Sequence, residues 1–86
     1  MVKIQRRYER QLNKLFPRAS LQIFNEYASI ISVLHVNGWV KRRDISTKLD
    51  LSAHKIYARL RRLIFAGLVT KRNMPSNLQW TEYKLL

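Results

Sequence analysis

DISTKLDLSAHKIYARLRRLIFAGLVTKR, residues 44–72, contains most of two short helical patterns, a three-residue break between them, and a β-prone run after a glycine. The patterns extend over Arg42 to Leu49 and Ala53 to Ala66, separated by Asp50-Leu51-Ser52. Ser52 is an N-cap residue type, because its side-chain oxygen can accept from a free N–H of the first helical turn. Gly67 suits the position just past the helix end, where the chain turns left-handed at little cost to glycine.

On a helical wheel, Ile56, Leu60, Leu63 and Ile64 share one face. His54, Lys55, Ala58, Arg61 and Arg62 occupy the other, with Tyr57 and Arg59 at its flanks. An apolar back buries and a cationic front stays in solvent.

Working outward towards the N-terminus, Trp39-Val40 reads as a short strand, and Gly38 as the end of a preceding helix. That helix spans about Leu21 to Asn37 and follows the N-cap candidate Ser20. It is apolar on two sides, Ile23, Tyr27, Ile30 and Leu34 on one and Phe24, Ala28 and Ile31 on the other. More than one neighbour must therefore cover it. A first amphipathic helix, Lys3 to about Leu15, sets the stripe Ile4, Tyr8, Leu12 and Leu15 among Arg6, Arg7, Arg10 and Lys14. Pro17 ends it. Towards the C-terminus, Leu68 to Arg72 and Leu78 to Leu85 read as strands around the turn residues Asn73 to Asn77. Trp39 and Trp80 are expected to pack at or near the core around these strands.

Charge divides the chain in the same places. The 86 residues carry 17 Lys and Arg against five Asp and Glu, a net charge of +12. Residues 1–18 contribute +5, residues 19–38 contribute −1, residues 39–72 contribute +8, and residues 73–86 cancel. Two basic blocks flanking a neutral one imply a buried central helix and an anionic partner, nucleic acid first and an anionic membrane surface second. No cysteine is present, so disulfides, thiolate metal sites and cysteine nucleophiles are excluded. With His35 and His54 the two histidines, no metal site is expected. Five scattered acids, no nucleophile beside a base and no phosphate-binding glycine loop speak against an enzyme or a cofactor. No signal peptide is read, and Leu21 to Val36 is too polar and short to span a bilayer, which suggests a cytoplasmic, nucleoid-associated protein. The Ile-, Arg-, Lys- and Tyr-rich composition is compatible with a thermophilic archaeal, plasmid or viral source.

Two short helices, a tight turn and a β-hairpin form a winged helix-turn-helix. The expected class is α+β, mostly α, with an additional N-terminal helix. Residues 1–18 form that basic amphipathic helix and residues 19–86 the winged domain. From Asp44-Ile45-Ser46 through Leu49-Asp50-Leu51-Ser52, then Ile56, Leu60, Leu63 and Gly67-Leu68-Val69, the chain resembles the broad MarR, ArsR and PadR class of winged-helix regulators. The resemblance covers about residues 30–86. It implies double-stranded DNA as partner and residues 53–66 as the recognition helix in a major groove about 12 Å wide.

The N-terminal half of such a helix reaches base edges, which nominates Ser52, Ala53, His54, Lys55, Ala58 and Arg59. Ala58 enters by being small. Lys41, Arg42, Arg43, Lys48, Arg61 and Arg62 are expected on phosphates, where they supply affinity and register but no sequence information. The resemblance adds Lys71 and Arg72 from the wing. The wing tip departs from the class in carrying no charge, so backbone contacts from Asn73, Ser76 or Asn77 are expected there.

Many winged-helix regulators dimerise through a helix after the wing, and this sequence ends at Leu86. The expectation therefore moves to a homodimer in which Ile4, Tyr8, Leu12, Leu15 and Phe16 pack with Phe24, Ala28 and Ile31. The alternative is that the first helix folds onto its own subunit. The leading functional expectation is a dimeric repressor on an inverted repeat. Its rivals are a non-specific architectural protein, favoured by the +12 charge, and a winged-helix protein-interaction module in a replication, partition or transcription assembly.

Overall fold

In the computed structural model, residues 4–72 and 81–86 are described. Helix α1 spans Arg6–Leu15 and α2 spans Leu21–Asn37. Strand β1, Val40–Lys41, leads into α3, Arg42–Leu49, and α4, Ala53–Phe65. Strands β2, Val69–Arg72, and β3, Glu82–Leu85, follow.

The helix ends form as their residues dictate. Ser20 Oγ accepts from the Ile23 N–H at 3.2 Å, and Ser52 Oγ accepts from the Lys55 N–H at 3.2 Å. At the far end of α4, Gly67 has φ +79°. Its N–H donates to Ile64 O while the Leu68 N–H donates to Leu63 O, both at 3.0 Å. This pair of bonds is a Schellman motif, with Leu63 and Leu68 buried on its inner side.

Helix α2 is the centre of the core. Tyr27, Ala28, Ile30, Ile31 and Leu34 are buried along it. Tyr8 and Leu12 of α1 cover one side, and Phe16 stacks on Tyr27 with ring centroids 4.4 Å apart and planes 6° from parallel. Ile45 of α3, with Ile56, Leu60 and Leu63 of α4, closes the other side. Each fully buried Leu or Ile contributes about 1.5–3 kcal/mol relative to exposure.

The sheet is three-stranded and antiparallel in the order β1-β3-β2. Val40 opposes Tyr83, and Val69 opposes Leu85. The first strand begins one residue later than the sequence pattern predicts, at Val40 instead of Trp39. Gly38 turns the chain with φ +72°, and Val40 then pairs with Tyr83 with its side chain buried. Val40, Val69 and Tyr83 are buried, so one face of this small sheet packs on the helices. Of the strand predicted over residues 78–85, the part before residue 81 lies outside the described residues, as do Trp80 and the turn residues Asn73 to Asn77.

Candidate nucleic-acid interface

The turn between α3 and α4 sets the geometry. Asp50 takes the left-handed conformation, φ 52° and ψ 41°, and its N–H donates to Ser46 O. A short polar side chain tolerates this region better than a bulky one. The Ser46 hydroxyl donates to Leu51 O, so the turn is tied from both ends. The Arg42 N–H donates to Thr81 O at 3.2 Å, which pins the start of α3 to the chain entering β3.

Helix α4 then presents Ser52, Ala53, His54 and Lys55 to solvent, with Ala58 half-buried behind them. Arg61 and Arg62 are exposed further along. Arg59 is placed differently. Its Nε donates to Glu26 Oε1 of α2 at 3.0 Å, and its side chain is 22% exposed. Lys55 Nζ lies 3.7 Å from Glu26 Oε2. Two of the six predicted base readers are thus ion-paired with α2, at the rear flank of the helix.

Lys41, Arg43 and Lys48 are exposed, and Arg42 is half-buried. Arg42, Arg43, Ser46, Thr47 and Ala53 line a shallow notch where the first turns of α3 and α4 meet. The Arg42 guanidinium lies over the Tyr57 ring, 5.3 Å from its centroid. Tyr83 of β3 senses both. Burial raises its hydroxyl above the ordinary tyrosine value; Arg42 opposes that shift and Tyr57 reinforces it.

At the sheet edge, Lys71 and Arg72 are exposed. Arg72 Nε donates to Glu82 Oε1 at 2.7 Å, and its guanidinium sits 4.3 Å from the Trp39 ring centroid. Lys84 Nζ is 5.8 Å from the same ring. Trp39 is therefore half-buried under two cations, at the margin of the core. The predicted wing contacts Asn73, Ser76 and Asn77 lie outside the described residues.

This arrangement of helix, turn, helix and antiparallel sheet matches solved structures. A structure of overoxidized AbfR bound to DNA superposes with a TM-score of 0.67 at 20% identity, covering 94% of this chain and 58% of that one. The oxidized form of MarR from E. coli matches with a TM-score of 0.63 at 16% identity, covering 94% and 56%. The fold is a winged helix-turn-helix. A mutant MarR from E. coli complexed with operator DNA shares it, with a TM-score of 0.57, 20% identity and the same coverage of 94% and 56%. The chain spans a little over half the length of these solved chains. No family model and no curated protein matches it.

The N-terminal helix of this winged helix lies against α2 of its own subunit. Tyr8, Leu12, Ala28 and Ile31 were expected to meet a second subunit, yet each is at most 4% exposed within its own. Their burial follows from the second apolar side of α2, which α1 covers directly. Ile4, Phe16 and Phe24 are partly buried against the same core, and Leu15 is exposed. Phe65, at the end of α4, is 82% exposed.

Sequence reasoning missed Glu26 and Tyr57 as participants in the winged-helix surface. Glu26 carried a signal, being the one charged residue in residues 19–38. Tyr57 was placed at a flank of α4 with no partner assigned. Among the described residues no three His, Asp or Glu side chains gather as a metal site would require, and no helix is long and apolar enough to cross a membrane.

Proposed function

We propose that this chain is a sequence-specific duplex-DNA-binding transcriptional regulator, a repressor that acts as a homodimer on an inverted repeat. The observation that carries the reading is the exposed cationic front of α4, continuous with the Arg42, Arg43 and Ser46 notch at the start of α3. Solved neighbours with this fold are bound to DNA or complexed with operator DNA, which supports the same partner here.

In this reading Ser52, Ala53, His54, Lys55 and Ala58 approach base edges, and Lys41, Arg42, Arg43, Lys48, Arg61 and Arg62 grip phosphates. Arg59 leaves the base-reading set because Glu26 holds it. Lys71 and Arg72, exposed at the end of β2, add phosphate contacts in this reading. Two α4 helices would then enter successive major grooves about 34 Å apart.

Selection of bound duplexes from a random pool, at a stated salt concentration, tests the proposal. Two inverted half-sites about one helical turn apart are the expected product. An unenriched pool overturns it and favours the architectural reading, which the +12 charge supports independently. Competition with unrelated DNA separates the two, since a regulator prefers its site by roughly 10³ or more.

A further inference from the structure

Two cations on the recognition helix are held from behind by one acid. Glu26, midway along α2, has a side chain only 9% exposed. It accepts from Arg59 Nε at 3.0 Å and lies 3.7 Å from Lys55 Nζ. The Arg59 guanidinium also sits 5.5 Å from the Tyr27 ring centroid, so its side chain lies along α2 instead of reaching forward. Lys55 is less confined, with its side chain 48% exposed. Packing alone does not require an acid here, because replacing a buried ion pair by apolar side chains is often neutral or stabilising. The distinct effect of Glu26 falls on the charge that α4 offers to DNA.

We infer that Glu26 is a specificity-determining residue that withholds Arg59 from phosphates and tethers Lys55, lowering the affinity of α4 for duplex DNA of any sequence. The inference rests on the DNA-binding reading above. Phosphate contacts are blind to sequence. Each cation removed from them lowers non-specific binding and leaves base contacts a larger share of the total. Lys55 can exchange Glu26 for an acceptor on DNA, whereas Arg59, doubly held by Glu26 and Tyr27, stays behind. Arg61 and Arg62, both exposed, supply the phosphate grip of the same helix.

Fluorescence anisotropy with a labelled duplex of unrelated sequence, repeated across a KCl series, tests this on the whole chain. Glu26→Gln keeps the side-chain volume and removes the charge. It is expected to steepen the log–log salt slope by about 1 to 2 and to raise affinity at low salt about tenfold. Glu26→Asp keeps the charge and is expected to retain the wild-type slope, whereas a packing role predicts the reverse order, with the isosteric Gln tolerated and the shorter Asp disruptive. An E26Q slope equal to wild type overturns the inference. Should E26Q fail to fold, Arg59→Gln in the wild-type background decides. R59Q is expected to leave the slope nearly unchanged, while Arg61→Gln lowers it by about 0.9. A loss of about 0.9 in R59Q overturns the inference. A wild-type slope near zero on every duplex overturns the DNA-binding reading and this inference with it.

Discussion

The guanidinium of Arg42, the first residue of α3, lies over the ring of Tyr57 on α4, with 5.3 Å between its Cζ and the ring centroid. The contact joins the two helices of the helix-turn-helix beside the notch formed by their first turns. A cation over a partly exposed ring contributes about 0.5–1 kcal/mol. It also orders an arginine, so in the proposed DNA complex less side-chain entropy would be lost on binding.

Tyr57→Ala is therefore expected to weaken DNA binding about two- to fivefold, and Tyr57→Phe, which keeps the ring face, to stay close to wild type. Titration of a labelled duplex by anisotropy measures both. Equal losses in the two variants would assign the effect to the tyrosine hydroxyl and remove the role given to the ring.

Arg43→Gln and Lys48→Gln are expected to weaken binding to all sequences alike, each flattening the salt slope by about 0.9. His54→Ala is expected to act otherwise, losing about 1–3 kcal/mol of discrimination at one base position and leaving the slope in place. A salt series on a selected and an unrelated duplex separates the two behaviours.

Leu12 of α1 is fully buried, so Leu12→Ala is expected to cost about 2–5 kcal/mol. Because that burial lies within one subunit, the loss should not depend on protein concentration. Thermal melts at several concentrations check this. A deficit that disappears as concentration rises would return Leu12 to an intersubunit contact.

Ser52→Ala removes the acceptor for the Lys55 N–H and is expected to cost about 1 kcal/mol. Gly67→Ala forces a side chain into φ +79° and is expected to cost about 1–2 kcal/mol. For a domain of this size each kcal/mol lowers Tm by about 4–8 °C. A melt of either variant that overlays wild type would contradict the cap geometry.

Burial raises the Tyr83 hydroxyl above the ordinary tyrosine value of 10.0. The folded state thus favours the neutral phenol more than the unfolded chain does. The associated stability is present in full below about pH 10 and is lost as pH rises through the higher folded value. Urea unfolding midpoints from about pH 9 to about pH 11 should fall for wild type and fall less steeply for Tyr83→Phe. Parallel curves would show that Tyr83 ionises as easily folded as unfolded.

Much of the fold is legible in the sequence. Ser20, Ser52, Gly38 and Gly67 mark helix ends by chemistry that acts within a few residues, and each stands where that chemistry requires. The apolar face of α4 was equally legible, because a period of 3.6 residues places Ile56, Leu60 and Leu63 together whatever covers them. The cationic face opposite followed from the same wheel. Pairings between distant residues were not legible. The antiparallel match of Val40 with Tyr83 brings together positions far apart in the chain, and a two-residue strand carries too little pattern to name its partner.

By itself, then, the sequence determined the helices, their caps, the helix-turn-helix and the sign of its exposed face, all properties of local spacing and composition. Tertiary structure alone decided which neighbour covers each apolar stripe. The stripe Tyr8 and Leu12 would look the same on an intersubunit helix as on one folded back against its own α2. It decided also that Glu26, 33 residues from Arg59, reaches back to hold a cation of α4. Periodicity says which side of a helix avoids water. The crossing of α2 and α4 says which charge lies within 3.0 Å of which.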